Sequence, residues 1–174
     1  MLQTANFKIR PLQISDKDSL AKNADNYKIA KNLRDRFPHP YSIKDAEDFI
    51  AFTQESNNLH KSFGIIKNGE CIGVIGFIQQ TDVHRKNAEF GYWIGEAFWQ
   101  QGIITEACKV FIPYVFENFE IVRLFASVFE YNIASQRVLE KNGFKLDCIT
   151  EKSVYKENQF WNEHHYSLLS NKLL

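Results

Sequence analysis

The stretch "FWQQGIITEACKVFIPYVF", Phe98 to Phe116, decides how the chain folds. A lone glycine, Gly102, precedes residues of helical periodicity, with Ala107, Phe111 and Tyr114 along one stripe. The spacing predicts a tight turn and then a helix from Thr105 to Phe119, kinked at Pro113, which has no backbone N–H to donate. The first N–H groups of such a helix have no partner within it and lie at the positive end of its dipole. Gln101, Gly102, Ile103, Ile104 and Thr105 therefore offer a cradle for a phosphate. A plainer reading has Gly102 do no more than make the turn. A Walker loop is excluded because no Gly-Lys-Ser/Thr follows, and a dinucleotide fingerprint because only one glycine is present.

On either side of this stretch the pattern reads as alternating strands and helices. "FKIRPLQ" is a strand, with Phe7, Ile9 and Pro11 on one face. A helix opens near Ser15, breaks at Pro38 and Pro40, and restarts with Ser42 as its cap, carrying Ala46, Phe49, Ile50 and Thr53 at helical spacing. Asn68-Gly69 between two apolar runs marks a β-hairpin. "NAEFGYWIG" is a strand whose alternation puts Glu89, Gly91 and Trp93 on one face, with Gly91 leaving room beside the carboxylate for a water or an amine. "VRLFASVFE" is a strand, "NIASQRVLEKNGF" a short helix ending at Gly143, and "HHYSLLSN" the last strand. The order β-αα-βββ-α-β-α-β-β mixes hairpins with a helical crossover, giving an α+β fold around a mixed sheet, read as a single domain over residues 1–174.

Composition limits the partners. Lys plus Arg (21) equals Asp plus Glu (21) and no long basic run occurs, so no nucleic-acid footprint is present. Hydrophobic residues make up 44% and include fifteen Phe, ample for a core, yet no apolar run reaches the length of a membrane span. With neither a signal core nor a transit pattern at the N-terminus, a soluble cytoplasmic protein is expected. Cys71, Cys108 and Cys148 are far apart with no metal-binding spacing, and read as reduced, mostly buried residues. His164 and His165 are adjacent in a strand and point to opposite faces, so they cannot share an ion, and no metal is expected.

The strand "AEFGYWIG", the loop after it and "NIASQRVLEKNGF" resemble, in order and spacing, the GNAT N-acetyltransferase superfamily. "FKIRPLQISD", "NLRDRFPHPYSIKDAEDFI", W-x-x-G-x-x-T-E-A and the terminal "YSLL" narrow the resemblance to its RimJ/RimL-like branch, the ribosomal-protein N-terminal acetyltransferases, over Phe7 to Leu169. The resemblance implies a mixed, mostly antiparallel central sheet flanked by helices, and direct transfer of acetyl from acetyl-CoA to an amine. It implies that Gln101 to Thr105 hold the pyrophosphate through backbone amides, and that the N–H groups of Trp93 and Ile94 meet pantetheine or the acetyl carbonyl. CoA would enter where the strand of Glu89 and the strand ending at Phe129 splay apart. The family's small residue two after the glycine is Ile104 here, which bears on how closely a phosphate can approach.

The resemblance also assigns chemistry to side chains. Glu89 stands at the position of the catalytic base, against the plainer reading of a surface-paired glutamate. Asn132 and Ser135 form N-x-x-S at a helix start, where Asn132 is a good N-cap. By resemblance Asn132 also meets pantetheine, and Ser135 returns a proton to the CoA thiolate. His39 and Tyr41 belong to a loop that walls the acceptor cleft in this family. Asn162 replaces an Asp found in many relatives, with Glu163 beside it. Phe90, Tyr92, Trp93, Phe98 and Trp99 read as core and cleft lining. The expected acceptor is a protein N-terminal α-amine. The alternatives are a small amine such as a polyamine or aminoglycoside, or a module that binds acyl-CoA without turnover. A homodimer is compatible with the resemblance.

Overall fold

The structure, a computed structural model, describes residues 1–55 and 59–171. Eight strands form one sheet in the order β1-β2-β3-β4-β5-β6-β8-β7. They are β1 (Leu2–Gln3), β2 (Lys8–Pro11), β3 (His60–Lys67), β4 (Glu70–Gln79), β5 (Asn87–Ile94), β6 (Arg123–Phe129), β7 (Lys145–Lys156) and β8 (Gln159–Leu169). Every neighbouring pair is antiparallel except β5 and β6, which run parallel. The mixed, mostly antiparallel sheet read from the sequence is therefore the observed one.

Among the described residues, five α-helices flank it: α1 (Lys17–Ala24), α2 (Tyr27–Ala30), α3 (Ile43–Thr53), α4 (Ile103–Asn118) and α5 (Ile133–Lys141). The first helical region differs from expectation. Its opening cap is Gln13 at a short 3-10 turn, not Ser15, because the Asp16 carboxylate takes the Gln13 N–H and the Arg10 guanidinium. The helix also stops at Asp25, and α2 is a single turn capped by the Asn26 side chain. Ser42 caps α3 through a reciprocal box with Asp45, as the sequence predicts. The hairpin turn at Asn68-Gly69 is also as expected, both residues having positive φ. α4 starts two residues before Thr105 and runs unbroken through Pro113, whose ring lies on the exposed side where the freed carbonyl can meet water. Cys71 and Cys108 are buried, as expected, whereas Cys148 is exposed. Among the described residues, no helix is long and apolar enough to cross a membrane.

Strand alternation sorts the sheet into two faces. One packs on α4 and α5: Ala88, Phe90 and Ile94 of β5, Leu124, Ala126 and Val128 of β6, and Tyr166 of β8 join Ala107, Phe111, Val115 and Leu139 in the larger core. The other carries Val74 and Trp93 against Leu20, Ala24, Tyr41 and Ile50 of the α1–α3 layer. Glu89, Phe125, Ser127, Glu163 and His165 share this second face by the same alternation.

Asp16 ties the second layer to the sheet. It is 3% exposed, and its oxygens lie 2.7 and 2.8 Å from Arg10 and 2.8 Å from the Gln13 N–H. Burial pushes its carboxyl up, but Arg10 and the Gln13 amide more than offset this and leave it below the usual range. A depressed carboxylate stabilises the fold above its unfolded pKa of ~3.9 and loses that contribution as pH falls through the lower folded value. Asp16→Ala should cost about 3–5 kcal/mol in urea unfolding near neutral pH, since it strands the guanidinium. The gap from wild type should close only well below pH ~4.

Candidate active site

Two parallel strands that part company build the centre of the site. β5 and β6 pair only at Asn87↔Arg123, Ala88↔Leu124 and Glu89↔Phe125. Beyond these, β5 stays with β4 as far as Ile94 and β6 stays with β8 as far as Phe129. The splay anticipated between these strands is thus present, and backbone groups on its inner edges have no partner strand. Ladder parity says which ones. The Asn87 carbonyl and the Gly95 N–H bond to the β4 side, so odd-numbered positions face β4 and even-numbered positions face the gap. The Ile94 N–H therefore opens on the gap and the Trp93 N–H turns to β4. The Ile94 carbonyl is taken by Trp99 Nε1 at 2.8 Å, which pins the following loop across the strand end.

That loop ends at Gly102, whose φ of 73° is left-handed, and the first helical hydrogen bond of α4 runs from the Glu106 N–H to the Gly102 carbonyl. The N–H groups of Ile103, Ile104 and Thr105 are thus left over at the dipole's positive end. A Cβ built on Gly102 meets nothing within 4 Å, so the cradle is open. Ile104 does not close it, because its side chain, 8% exposed, is buried in the larger core. Trp99, Tyr131, Asn132, Ile133 and Lys31 line a cavity of about 510 Å³ near the C-terminal ends of β5 and β6. Open amides, an exposed glycine and a strand gap suit an extended chain with a pyrophosphate at one end.

On the core face the gap is bridged. Tyr92 Oη lies 3.0 Å from Ser135 Oγ, joining β5 to the first turn of α5. Asn132 caps that helix, accepting the Ser135 N–H at 3.2 Å. Burial, with Cys108 nearby, holds the Tyr92 phenol protonated far above its ordinary range, the Ser135 contact pulling back only in part. With the phenol as donor, the serine hydrogen is free to turn away from it. Tyr92 is the partner that sequence reasoning missed. The available signal was its place beside Phe90 on the buried parity, where a hydroxyl needs a hydrogen bond.

On the opposite face, Glu89 is 21% exposed and ion-paired with Arg34. Beside it, a Cβ on Gly91 would meet nothing within 4 Å, so the room expected there exists. Arg34 comes from the Pro-bearing loop, which Phe37 anchors against Trp93 and Tyr41 at ring distances of 5.9 and 5.0 Å. His39 packs on Tyr27 within this loop. Asn162 ties its N–H and amide to the Glu130 carboxylate at 2.8 and 3.1 Å and is a structural residue of β8. Glu163 lines a second cavity, of about 260 Å³, with Arg34, Asp35, Phe129 and Lys156. Among the described residues, no three His, Cys, Asp or Glu side chains gather as a metal site would need.

Residues 6–145 match the acetyltransferase (GNAT) domain family. The chain belongs to the GNAT acetyltransferases. Similar proteins include the probable N-acetyltransferase YjcK of Bacillus subtilis, 29% identical with 98% of this chain and 97% of that one covered. The ribosomal-protein-serine acetyltransferase of Escherichia coli is 30% identical, with coverage of 80% and 82%. The spermidine N(1)-acetyltransferase of Escherichia coli is 24% identical, with coverage of 89% and 81%. In structure the chain is similar to the ribosomal α-N-protein acetyltransferase RimL in complex with coenzyme A, with a TM-score of 0.83, 20% identity and 95% of each chain covered. An acetyl-CoA-dependent acetyltransferase follows from family membership, with the branch and the acceptor left to the site itself.

Gly102→Asp places a β-carbon and a negative charge in the open cradle, at a φ that L-residues avoid. Acetyl-CoA binding by calorimetry should weaken at least ~100-fold, while thermal unfolding still shows one cooperative transition. Wild-type affinity in this variant would remove the cradle from the phosphate.

Proposed function

We propose that this GNAT enzyme acetylates the α-amine at a protein or peptide N-terminus. The observation that carries the reading is the charge around the Gly91 opening. The carboxylates there are already engaged: Glu89 by Arg34 and Asp35 by Lys156 at 2.6 Å. Glu163 faces His165 at 3.7 Å. Arg34 and Lys156 thus pair off two of these carboxylates rather than leaving them free. A polyamine or aminoglycoside carries several cations, each needing its own carboxylate partner, and few are unpaired here. A single α-amine needs one.

Amine chemistry points the same way. Only the neutral amine attacks, and an α-amine with pKa ~7.7–8.0 gives up its proton far more cheaply near neutrality than a lysine-like amine at ~10.4. Glu89 draws the ammonium to the Gly91 space and takes its proton there. The Ile94 N–H opens on the gap, placed to polarise an acetyl carbonyl, and Ser135, oriented by Tyr92, returns a proton to the departing thiolate. Gln101 to Thr105 and Asn132 hold the pyrophosphate and pantetheine of acetyl-CoA, with Ile94 as the β5 donor; Trp93 serves by packing the Arg34 loop.

In a thiol-release assay, short peptides beginning with Ser or Ala should be acetylated at the α-amine, with spermidine and aminoglycosides poor acceptors. Turnover of spermidine without any of the peptides would overturn the reading. Tight acetyl-CoA binding with no turnover of any amine would make the protein an acyl-CoA-binding module. Glu89→Gln and Ser135→Ala should each lower kcat about 10²-fold while leaving acetyl-CoA affinity nearly unchanged.

A further inference from the structure

A chain of side-chain hydrogen bonds runs across the Glu89 face from the strand gap to the surface. Ser127 follows Phe125 by two positions on β6, and Phe125 is the register partner of Glu89, so Ser127 stands across the gap from Gly91. Its hydroxyl is 3.0 Å from His165 Nδ1. His165 Nε2 is 2.8 Å from Thr150 Oγ1, which in turn is 2.8 Å from Ser153 Oγ. Ser153 is exposed and lines the second cavity. The local fold builds this outlet deliberately. The β7–β8 register shifts between Thr150 and Val154, with Lys152 at a φ of 49°, and the excursion folds Ser153 back onto Thr150.

Each hydroxyl both donates and accepts, and a neutral imidazole donates from one nitrogen while accepting at the other. The four groups can therefore orient head to tail. The reaction supplies a proton for such a path to carry. When an ammonium becomes an amide, the C–S bond breaks, the C–N bond forms and the nitrogen gives up two protons. One returns to the CoA thiolate and one must leave the site. In the proposed reaction Glu89, paired with Arg34, receives it first and must pass it on before the next turnover.

We propose that Ser127, His165, Thr150 and Ser153 form the outlet that carries this proton to solvent. Ser127 accepts a proton from the Gly91 space while passing its own hydrogen to His165 Nδ1. The Nε2 hydrogen moves to Thr150, and Thr150 passes its own to Ser153 and water. No electrons change hands, and each group ends with the number of hydrogens it began with, His165 having exchanged its Nε2–H tautomer for the Nδ1–H one, which rotation of the hydroxyls and return of a proton from water reset. The groups facing His165 are Glu163 on β8 at 3.7 Å, and Asp147 and Cys148 on β7, with Cys148 in register opposite it. Arg123 of β6 holds Asp147 at 2.8 Å. His165 acts through Ser127 and is a relay residue, not one that touches the acceptor.

The inference rests on the proposed placement of the amine beside Gly91. Its test is kcat of His165→Ala and His165→Gln, with and without added imidazole, on whichever amine the wild-type enzyme acetylates. Both variants should turn over about 10-fold slower at neutral pH, with acetyl-CoA KM unchanged. Imidazole buffer should restore His165→Ala by accepting the proton in place of the ring, which no structural role for His165 predicts. His165→Gln, which can still bond Ser127 but not relay, controls for folding. Wild-type kcat in both variants, or a slow His165→Ala that imidazole leaves slow, would overturn the outlet and leave the reading of the acceptor site standing. A wild-type enzyme inactive on every amine would overturn both.

Discussion

The structure depends on two parallel strands that pair for three residues and then separate. Each is held away from the other by its outer neighbour, β5 by β4 and β6 by β8, so divergence is imposed by the rest of the sheet. Buried backbone amides without partners are costly, and a protein keeps them only where something else satisfies them. Here the Trp99 indole takes the Ile94 carbonyl and the Tyr92–Ser135 contact spans the opening, while the Ile94 N–H stays turned inward. Because α4 follows β5 and α5 follows β6, both helix N-termini arrive at the same end of the gap. The cradle at Gly102 and the cap at Asn132 are consequences of that connectivity.

The gap also separates two kinds of proton chemistry. Ser135 and Tyr92 lie on the side that packs on α4 and α5, where burial keeps the phenol protonated and able to donate. Glu89, Ser127 and His165 lie on the other side, with Arg34 and open space. In the proposed reaction an acyl group lodged between the strands would meet a donor from one face and an acceptor from the other. The sheet keeps the two from neutralising each other directly, so opposed protonation demands coexist within one small site.

Much of this was legible because it is local. Gly102 before a helical stripe, Asn132 three residues before Ser135, and the alternation of Glu89, Gly91 and Trp93 are short-range patterns fixed by helix and strand geometry. What the sequence hid is long-range. Arg34 reaches Glu89 across 55 residues, and nothing in "NLRDRF" marks that arginine over its neighbour Arg36. The Ser127–His165 contact depends on β6–β8 register, and the return of Ser153 to Thr150 on an irregularity in β7 that no turn motif announces. Adjacent His164 and His165 were correctly separated by strand parity, yet parity could not say that one would join a hydrogen-bond chain. The start of the first helical region was misplaced because Asp16 serves Arg10 and Gln13, an arrangement visible only once β2 is in place.

The central claim is that the β5–β6 gap and the α4 N-terminus together receive acetyl-CoA. Backbone amide NMR of the uniformly labelled protein, titrated with acetyl-CoA, tests it residue by residue. The account predicts that the amides of Ile94 and of Gly102 to Thr105 shift most, with Ser135 following, while those of the β1–β2 pair and the outer edge of β7 stay in place. Saturable binding that moves the outer edge of β7 and leaves Ile94 and Gly102 unshifted would contradict it.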